Sequence, residues 1–378
     1  MKKLLILALA FTLCLTLGLC LAACDSGNEE TPTDAPSEST ADASTDAPTE
    51  APTEAPTEAP TEEATEAETP ADGDETKAPG REDYPSDQYV VIETPEDLMA
   101  FNKSVNEDYE DYSEMTVIFL NDIDLDGYEW IPLDGNSFFE TTFEGKGHTI
   151  KHMTINYNTE RDITGVEEYL GCGFIGNLPA GNDIYIYNLN FDSCYVTARE
   201  RHVGCVVGRS LGASVEFENV SVTNFTVDGW CDYNNSKEET DGYPICFRVA
   251  GVMGASWGGY STFTNVTVKN LKISGFHNLA GILGYDGGGT ISPYSFENCK
   301  VEDAEMTFSY CLGSSYTVDM PRKFVSVFYN GGQWIDNIDE CVENGNTYSG
   351  ISFLDWTDDL HEYTPDDFRS WTAEEAGQ

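Results

Sequence analysis

One six-residue phrase returns six times along this chain. A recurring phrase at such spacing restricts the fold more than any other feature does. It runs apolar–x–Asn–apolar–x–apolar at Leu120–Leu125, Ile150–Ile155, Ile186–Phe191, Phe217–Val222, Phe263–Val268 and Phe296–Val301. The third position is Asp122, His152, Asn188, Asn219, Asn265 and Asn298, so it settles on Asn in the last four copies. Successive copies lie 30, 36, 31, 46 and 33 residues apart. Units of that size are too small to bury a core singly and must stack on their neighbours.

Each late copy continues in the same rhythm. Cys194 and Val196, Phe225 and Val227, Leu271 and Ile273, and Ala304 and Met306 follow their phrases at period two. That alternation marks a strand with one buried face, resumed after a corner. Upstream sits a second phrase: Gly173–Gly176, Cys205–Gly208, Gly251–Gly254 and Gly281–Gly284, each a short apolar run closed by Gly. It predicts a third strand per unit, ending in a tight turn. Three short strands in about thirty residues fit one rung of a parallel β-helix. The expected fold is therefore all-β: a single-stranded parallel β-helix, a solenoid of roughly six to seven rungs. Asn suits the corners, since its amide bonds to backbone and tolerates left-handed geometry. Stacked in register, such amides can also bond one another as a ladder.

Exposed strand edges at the ends of a stack need covering. At the N-terminal end, Thr94 is a good N-cap, Pro95 suits the first helical position, and Glu96 and Asp97 favour the positive helix end. Leu98, Phe101 and Val105 share one face. A short capping helix over about 95–106 is predicted. At the other end, Trp356, Phe368 and Trp371 and a short helix after Thr364–Pro365 are candidates for cover.

These elements together resemble a known module. Thr94–Leu98, Asn121–Leu125, Phe143–Ile150 and the Gly phrases look like the GLUG-type β-helix modules of bacterial surface proteins. The resemblance spans roughly residues 89–306. It implies a right-handed solenoid and a surface role, without naming an activity. The sequence departs from the pattern at Cys205, which replaces the first Gly. The phrases blur near Val327–Asn330 and Ile335–Ile338, where the last rung would lie.

The N-terminus carries an address. Met1–Lys2–Lys3 and the apolar run from Leu4 to Ala23 read as a signal peptide over 1–23. Leu21–Ala22–Ala23–Cys24 is similar to the lipobox of bacterial lipoproteins, which implies a diacylglyceryl group on Cys24. Two acyl chains anchor a protein stably. Residues 24–83 read as a disordered tether: Ala–Pro–Thr–Glu repeats fill Ala47–Glu62, and 19 Asp and Glu face only Lys77 and Arg81. The folded domain is then 84–378, with an insertion at about 228–247 that stretches one repeat. The expected location is the outer face of a bacterial cell membrane, with membrane contact through the lipid alone.

A net charge of −48 disfavours nucleic acid as a partner. Asp122, Asp124 and Asp126 have the opening spacing of a calcium loop, but the twelfth position is Leu133 rather than Glu. The same residues also fit a strand with outward carboxylates. Among eight domain cysteines, Cys194 and Cys299 fall at inward positions and read as buried thiols, while Cys231 and Cys246 bracket the insertion and could close it. No C–x–x–C occurs, which argues against zinc.

For catalysis the chain offers little. A lyase needs a base beside a neutralising cation, and Arg199, Arg201, Arg209, Arg248, Lys269 and Lys272 are the candidates. Asp358–Asp359 and Asp366–Asp367 sit in an acidic tail. None of these rises above background as a catalytic signature. A binding edge is more arguable. Trp257, Tyr260, Tyr285 and Tyr294 recur with Tyr185 in the loop between the Gly and Asn phrases, and Trp230, Tyr233 and Tyr243 lie in the insertion. Such rings can stack on sugars or seat a protein, or simply cover loop backbone. The sequence thus favours non-catalytic adhesion or glycan or protein binding, with a surface polysaccharide lyase or glycoside hydrolase as the alternative.

Overall fold

Asparagine corners and alternating apolar residues place the chain in four sheets, which it visits in a fixed cycle. The computed structural model describes residues 80–156, 171–198, 202–229, 247–275, 277–287, 295–308, 325–329, 337–355 and 361–363. By their contacts Glu75–Gln378 form one unit; the other, Met1–Asp74, lies outside the described residues.

The first sheet has seven strands, in spatial order Tyr89–Ile92, Thr116–Phe119, Thr141–Glu144, Ile184–Tyr187, Val215–Glu218, Ser261–Thr264 and Phe296–Glu297. Spatial order is chain order, and each neighbouring pair is parallel. A second sheet takes the segment after each corner: Thr149–Lys151, Asn190–Asp192, Ser221–Thr223, Thr267–Gly275, Lys300–Phe308 and Thr347–Asp355, again parallel. Only its last strand, His361–Tyr363, pairs antiparallel among the described residues. The fold is thus all-β and parallel in its sheets.

Register follows the sequence phrase in its last four copies. Ile186, Phe217, Phe263 and Phe296 are Cα partners in succession, and so are Phe191, Val222, Val268 and Val301. Their alternate residues are inward: Phe217, Phe263 and Phe296 are buried and stack face to face at 4.9 and 4.8 Å, with Tyr329 next at 5.0 Å. That interval is the spacing of neighbouring strands, so the ring column repeats the backbone register.

The first two copies are in a different register from the phrase. Ile150 is partnered with Phe191, the sixth position of its copy, and Ile123 with Ile150. The first position of the second copy is Phe143, opposite Ile186, and that of the first copy is Val117. The cause is a longer corner. Gly145 to His148 inserts a turn whose Lys146 and Gly147 both have positive φ, 50° and 85°. The second phrase therefore lies five residues beyond its structural place, Ile155 against Ile150, and the first lies two beyond, Leu125 against Ile123.

The Gly phrases are not single strands. Residues 173–174, 205–206, 251–252 and 281–282 form bends between two strands, as between His202–Gly204 and Val207–Leu211. The bends themselves are joined by Phe174 N donating to Cys205 O at 2.9 Å, Cys205 N to Gly251 O at 3.3 Å and Gly251 N to Gly281 O at 3.0 Å. Glycine is required by close approach. A Cβ on Gly254 would fall 2.5 Å from Gly208 O and 2.6 Å from Val203 N. The blurred end continues the pattern: Gly281 N donates to Val327 O at 2.9 Å, and Val325 partners Leu279.

The predicted helix is present as Pro95–Asn106. Thr94 accepts from Asp97 N while the Asp97 carboxylate accepts from Thr94 N, a capping box. Leu98, Phe101 and Val105 are buried, and Asn102 Nδ2 ties the helix to Ile131 O at 2.6 Å. The described residues begin at Gly80, within the segment read above as the tether. Arg81, assigned with the tether, is held by Glu93 at 2.7 Å and Asp97 at 2.6 Å.

Candidate functional site

Two kinds of corner carry the stack. At the first, Asn188, Asn219, Asn265 and Asn298 all have φ of 52–54°, which Asn tolerates at small cost. Asn219 Nδ2 donates to Asn188 Oδ1 at 2.9 Å, and Asn265 Nδ2 to Asn219 Oδ1 at 2.9 Å. A second column is His152, Ser193, Asn224, Asn270, Asp303 and Gly350, each left-handed with φ of 51–64°. These follow residues paired in register, and Asn270 bonds Asn224 at 3.0 Å.

The acidic triplet does not gather as a calcium loop. Ile123 and Leu125 are buried, which turns Asp122, Asp124 and Asp126 outward. Lys151 Nζ sits 2.8 Å from Asp122, and its hydrogen bond is the main cause holding that carboxyl below its ordinary range. His152 Nδ1 is 2.7 Å from Asp124; their hydrogen bond lowers Asp124 and raises His152. Among the described residues no group of three His, Cys, Asp or Glu is placed to hold a metal.

Of the candidate aromatics, Trp257, Tyr260 and Tyr285 are described; Trp230, Tyr233, Tyr243 and Tyr294 lie outside the described residues, as do Cys24 and the Cys231–Cys246 bracket. Trp257 and Tyr285 come together at 5.4 Å between ring centroids. The Arg248 guanidinium lies against both, 4.6 Å from the Trp257 centroid and 4.3 Å from that of Tyr285. Arg209 approaches the same indole at 5.9 Å, and His202 meets it edge-on at 5.0 Å. Contacts between cations and aromatic faces are attractive, more so where water is excluded. Gly287 closes the group: a Cβ there would lie 2.0 Å from Trp257 Nε1. Trp257 and Tyr285 thus clamp cations rather than standing free, whereas Tyr260 is 70% exposed.

The cationic cluster opens on a cleft. Strand Val207–Leu211 places Arg209, only 7% exposed, in the wall of a cavity of about 430 Å³. Its rim is apolar and wet: Tyr109, Ile131 and Leu211 line it at 76%, 48% and 40% exposure. Asn106, Asn177 and Asp134 supply polar atoms. Leu211 partners Trp257 across adjacent strands, so cleft and cluster are continuous. Arg248 itself has φ of 59°, a strained state for a long side chain of the kind stored at functional sites. Sequence reasoning had named Arg209 and Arg248 only as bases. The burial of Arg209 and the place of Arg248 beside an indole were hidden because both depend on the bend at each Gly phrase.

No family model matches the chain, and no curated protein matches it. Among solved structures it is similar to a "putative immunoglobulin A1 protease" from Bacteroides ovatus, 12% identical over 74% of this chain and 80% of that one, with a TM-score of 0.36. A likeness of that size carries no argument. Among the described residues no helix is long and apolar enough to cross a membrane, which says nothing of crossing by strands.

Proposed function

We propose that this chain is a lipid-anchored bacterial surface protein displaying a parallel β-helix of GLUG type, which binds a glycan or protein ligand without catalysis. The solenoid reading is supported by strands that keep chain order in each sheet and by the in-register corner asparagines. The Pro95–Asn106 helix covers its first winding. Anchoring rests on the Leu21–Cys24 lipobox resemblance and the acidic segment after it.

The binding reading rests on one observation. Tyr109, Ile131 and Leu211, three exposed large hydrophobics, converge on a cleft walled by the buried cation Arg209. Apolar rims with a few convergent polar groups are the usual form of a ligand site. The edge of the Arg209 guanidinium in the wall offers N–H donors in a fixed planar geometry, suited to an acidic or strongly hydrogen-bonding group. The ligand class is therefore a surface glycan or protein presenting an acidic or polar group beside an apolar one.

The test is a glycan and surface-protein array probed with the full chain, Arg209→Lys and Trp257→Phe. Binding weakened at least tenfold by either change, with melting unaltered, supports the reading. Binding indifferent to both, or depolymerisation of a bound polysaccharide, overturns it. The anchor is checked separately: Cys24→Ser should move the protein from the membrane to the soluble fraction.

A further inference from the structure

We propose that the ligand of the cleft is a neutral glycan chain, held in a trench that runs from the cleft along the turns of successive windings to Tyr260. The inference rests on the cleft being the ligand site. These turns follow the four strands of one sheet, Leu133–Asp134, Ile175–Leu178, Val207–Leu211 and Met253–Trp257, so they span about 15 Å by strand spacing. Their floor is bare. Ala180, Gly212 and Gly258 follow one another: a Cβ on Gly212 would lie 3.2 Å from Ala180 Cβ, and one on Gly258 would lie 3.9 Å from Gly212 Cα. Ala180 and Gly258 are exposed and Gly212 is half-buried. Exposed apolar side chains stand at both ends, Tyr109 and Ile131 at the cleft and Tyr260 beyond it.

Charge and bonding select the occupant. Of residues 131–136, 177–183, 209–214 and 257–260, only Asp134, Asp183 and Arg209 are charged, in a chain with 67 Asp and Glu. Both carboxylates serve the turns themselves: Asp134 Oδ1 accepts from Asn136 N at 2.9 Å, and Asp183 Oδ1 from Ser214 N at 2.6 Å. The strip is therefore close to neutral, and neither a polyanion nor a polycation gains from it. Asn106, Asn136 and Asn177 bring amides to the cleft beside Arg209, groups that exchange hydrogen bonds with hydroxyls. The tyrosine rings and the bare floor accept the apolar face of a sugar ring. A peptide strand is served less well, because the main chain of these turns is bonded along the stack: Ile184 N donates to Ser214 O at 3.0 Å and Val215 N to Tyr260 O at 2.8 Å. Turns repeated on successive windings also suit a ligand that is itself a repeating chain.

The experiment is an array of neutral and uronate-bearing oligosaccharides, from disaccharide to hexasaccharide, with surface proteins alongside, probed with the full chain. The expected result is binding of neutral oligosaccharides with affinity rising at least tenfold from disaccharide to hexasaccharide. Tyr260→Ala should weaken the hexasaccharide at least fivefold and leave the disaccharide within twofold. Tyr195→Ala, which removes an exposed ring on the separate strand Tyr195–Ala198, should change neither. Binding confined to uronates or to proteins, affinity independent of length, or indifference to Tyr260→Ala would each overturn the trench. If such a ligand is still lost with Arg209→Lys, the cleft reading stands without the trench; a chain that binds nothing on the array overturns both.

Discussion

Asn219 Nδ2 donates to Asn188 Oδ1 at 2.9 Å although 31 residues separate them in the chain. Its own Oδ1 accepts from Asn265 across another 46. Neither spacing is regular, yet the amides coincide, because corners are fixed by backbone pairing and the variable lengths lie elsewhere.

That ladder carries a measurable share of stability. Asn219→Ala removes two side-chain hydrogen bonds and puts at φ of 54° a residue that tolerates the left-handed region less well than Asn. The expected loss is about 2 kcal/mol or more. Asn219→Gly keeps the backbone state and loses only the bonds, so it should cost about half as much. Urea melts of both variants give the comparison. Equal stability for all three proteins would show that the ladder is incidental.

Gly254 admits no side chain. Its neighbours at 2.5 and 2.6 Å are backbone atoms, Gly208 O and Val203 N, which cannot swing away. Gly254→Ala should cost more than the ~1–3 kcal/mol typical of overpacking and leave little soluble folded protein. Gly127→Ala is the control, since a Cβ there meets nothing within 4 Å; it should express and fold with only the modest strain of its positive φ.

The pair His152–Asp124 gives a pH signature. Hydrogen bonding to Asp124 raises His152 above its ordinary 6.5, so the His contribution is full below about pH 6.5 and fades as pH rises through the raised value. Asp124 is lowered from its ordinary 3.8, so its contribution is full above about pH 4 and is lost as pH falls through the lowered value. His152→Asn retains the tolerated left-handed backbone and deletes the charge. Its melting temperature should fall furthest below the wild type between about pH 4 and 6.5, with the gap narrowing on either side. The exposed setting keeps the effect small, and a pH-independent gap would contradict it.

Five thiols should be silent in the native protein. Cys172, Cys194, Cys205, Cys299 and Cys341 are buried thiols. Burial pushes Cys205 well up and Cys299 and Cys341 up to about 12, so little thiolate forms at neutral pH. Site-resolved mass spectrometry after iodoacetamide should find these five unmodified until denaturant is added. Rapid native labelling of Cys299 would contradict its burial.

Much of this was legible in the sequence, for identifiable reasons. Asn188, Asn219, Asn265 and Asn298 announced their corners because one residue type serves one backbone state. The helix at Pro95–Asn106 was legible because Thr94, Pro95 and Asp97 are local signals. The second corner was legible as a break in the alternation before Phe225 and Leu271, but not as a column, because His152, Ser193, Asn224, Asn270 and Asp303 share a dihedral angle and no single residue type. The first two registers slipped because both corners are longer: six residues from Val117 to Ile123 and, through the Gly145–His148 turn, seven from Phe143 to Ile150, against five from Ile186 to Phe191. Trp257 and Tyr285 were found as aromatics, but their clamp on Arg248 depends on which strands neighbour one another. The cleft brings Tyr109 and Ile131 beside Arg209 and Leu211 across about a hundred residues of chain, beyond the reach of any local pattern.

The stacking of successive windings is tested most directly by disulfide trapping. Thr223 and Lys269 are Cα partners on neighbouring strands across the longest repeat, and Glu302 lies one strand further. Neighbouring strands fall within the Cα separation a disulfide needs, while two strands, about 10 Å, do not. Under mild oxidation Thr223→Cys with Lys269→Cys should cross-link nearly completely within the monomer, and Thr223→Cys with Glu302→Cys should not. The reverse pattern, or no cross-link in either, would contradict the stacked parallel windings on which the proposed binding cleft depends.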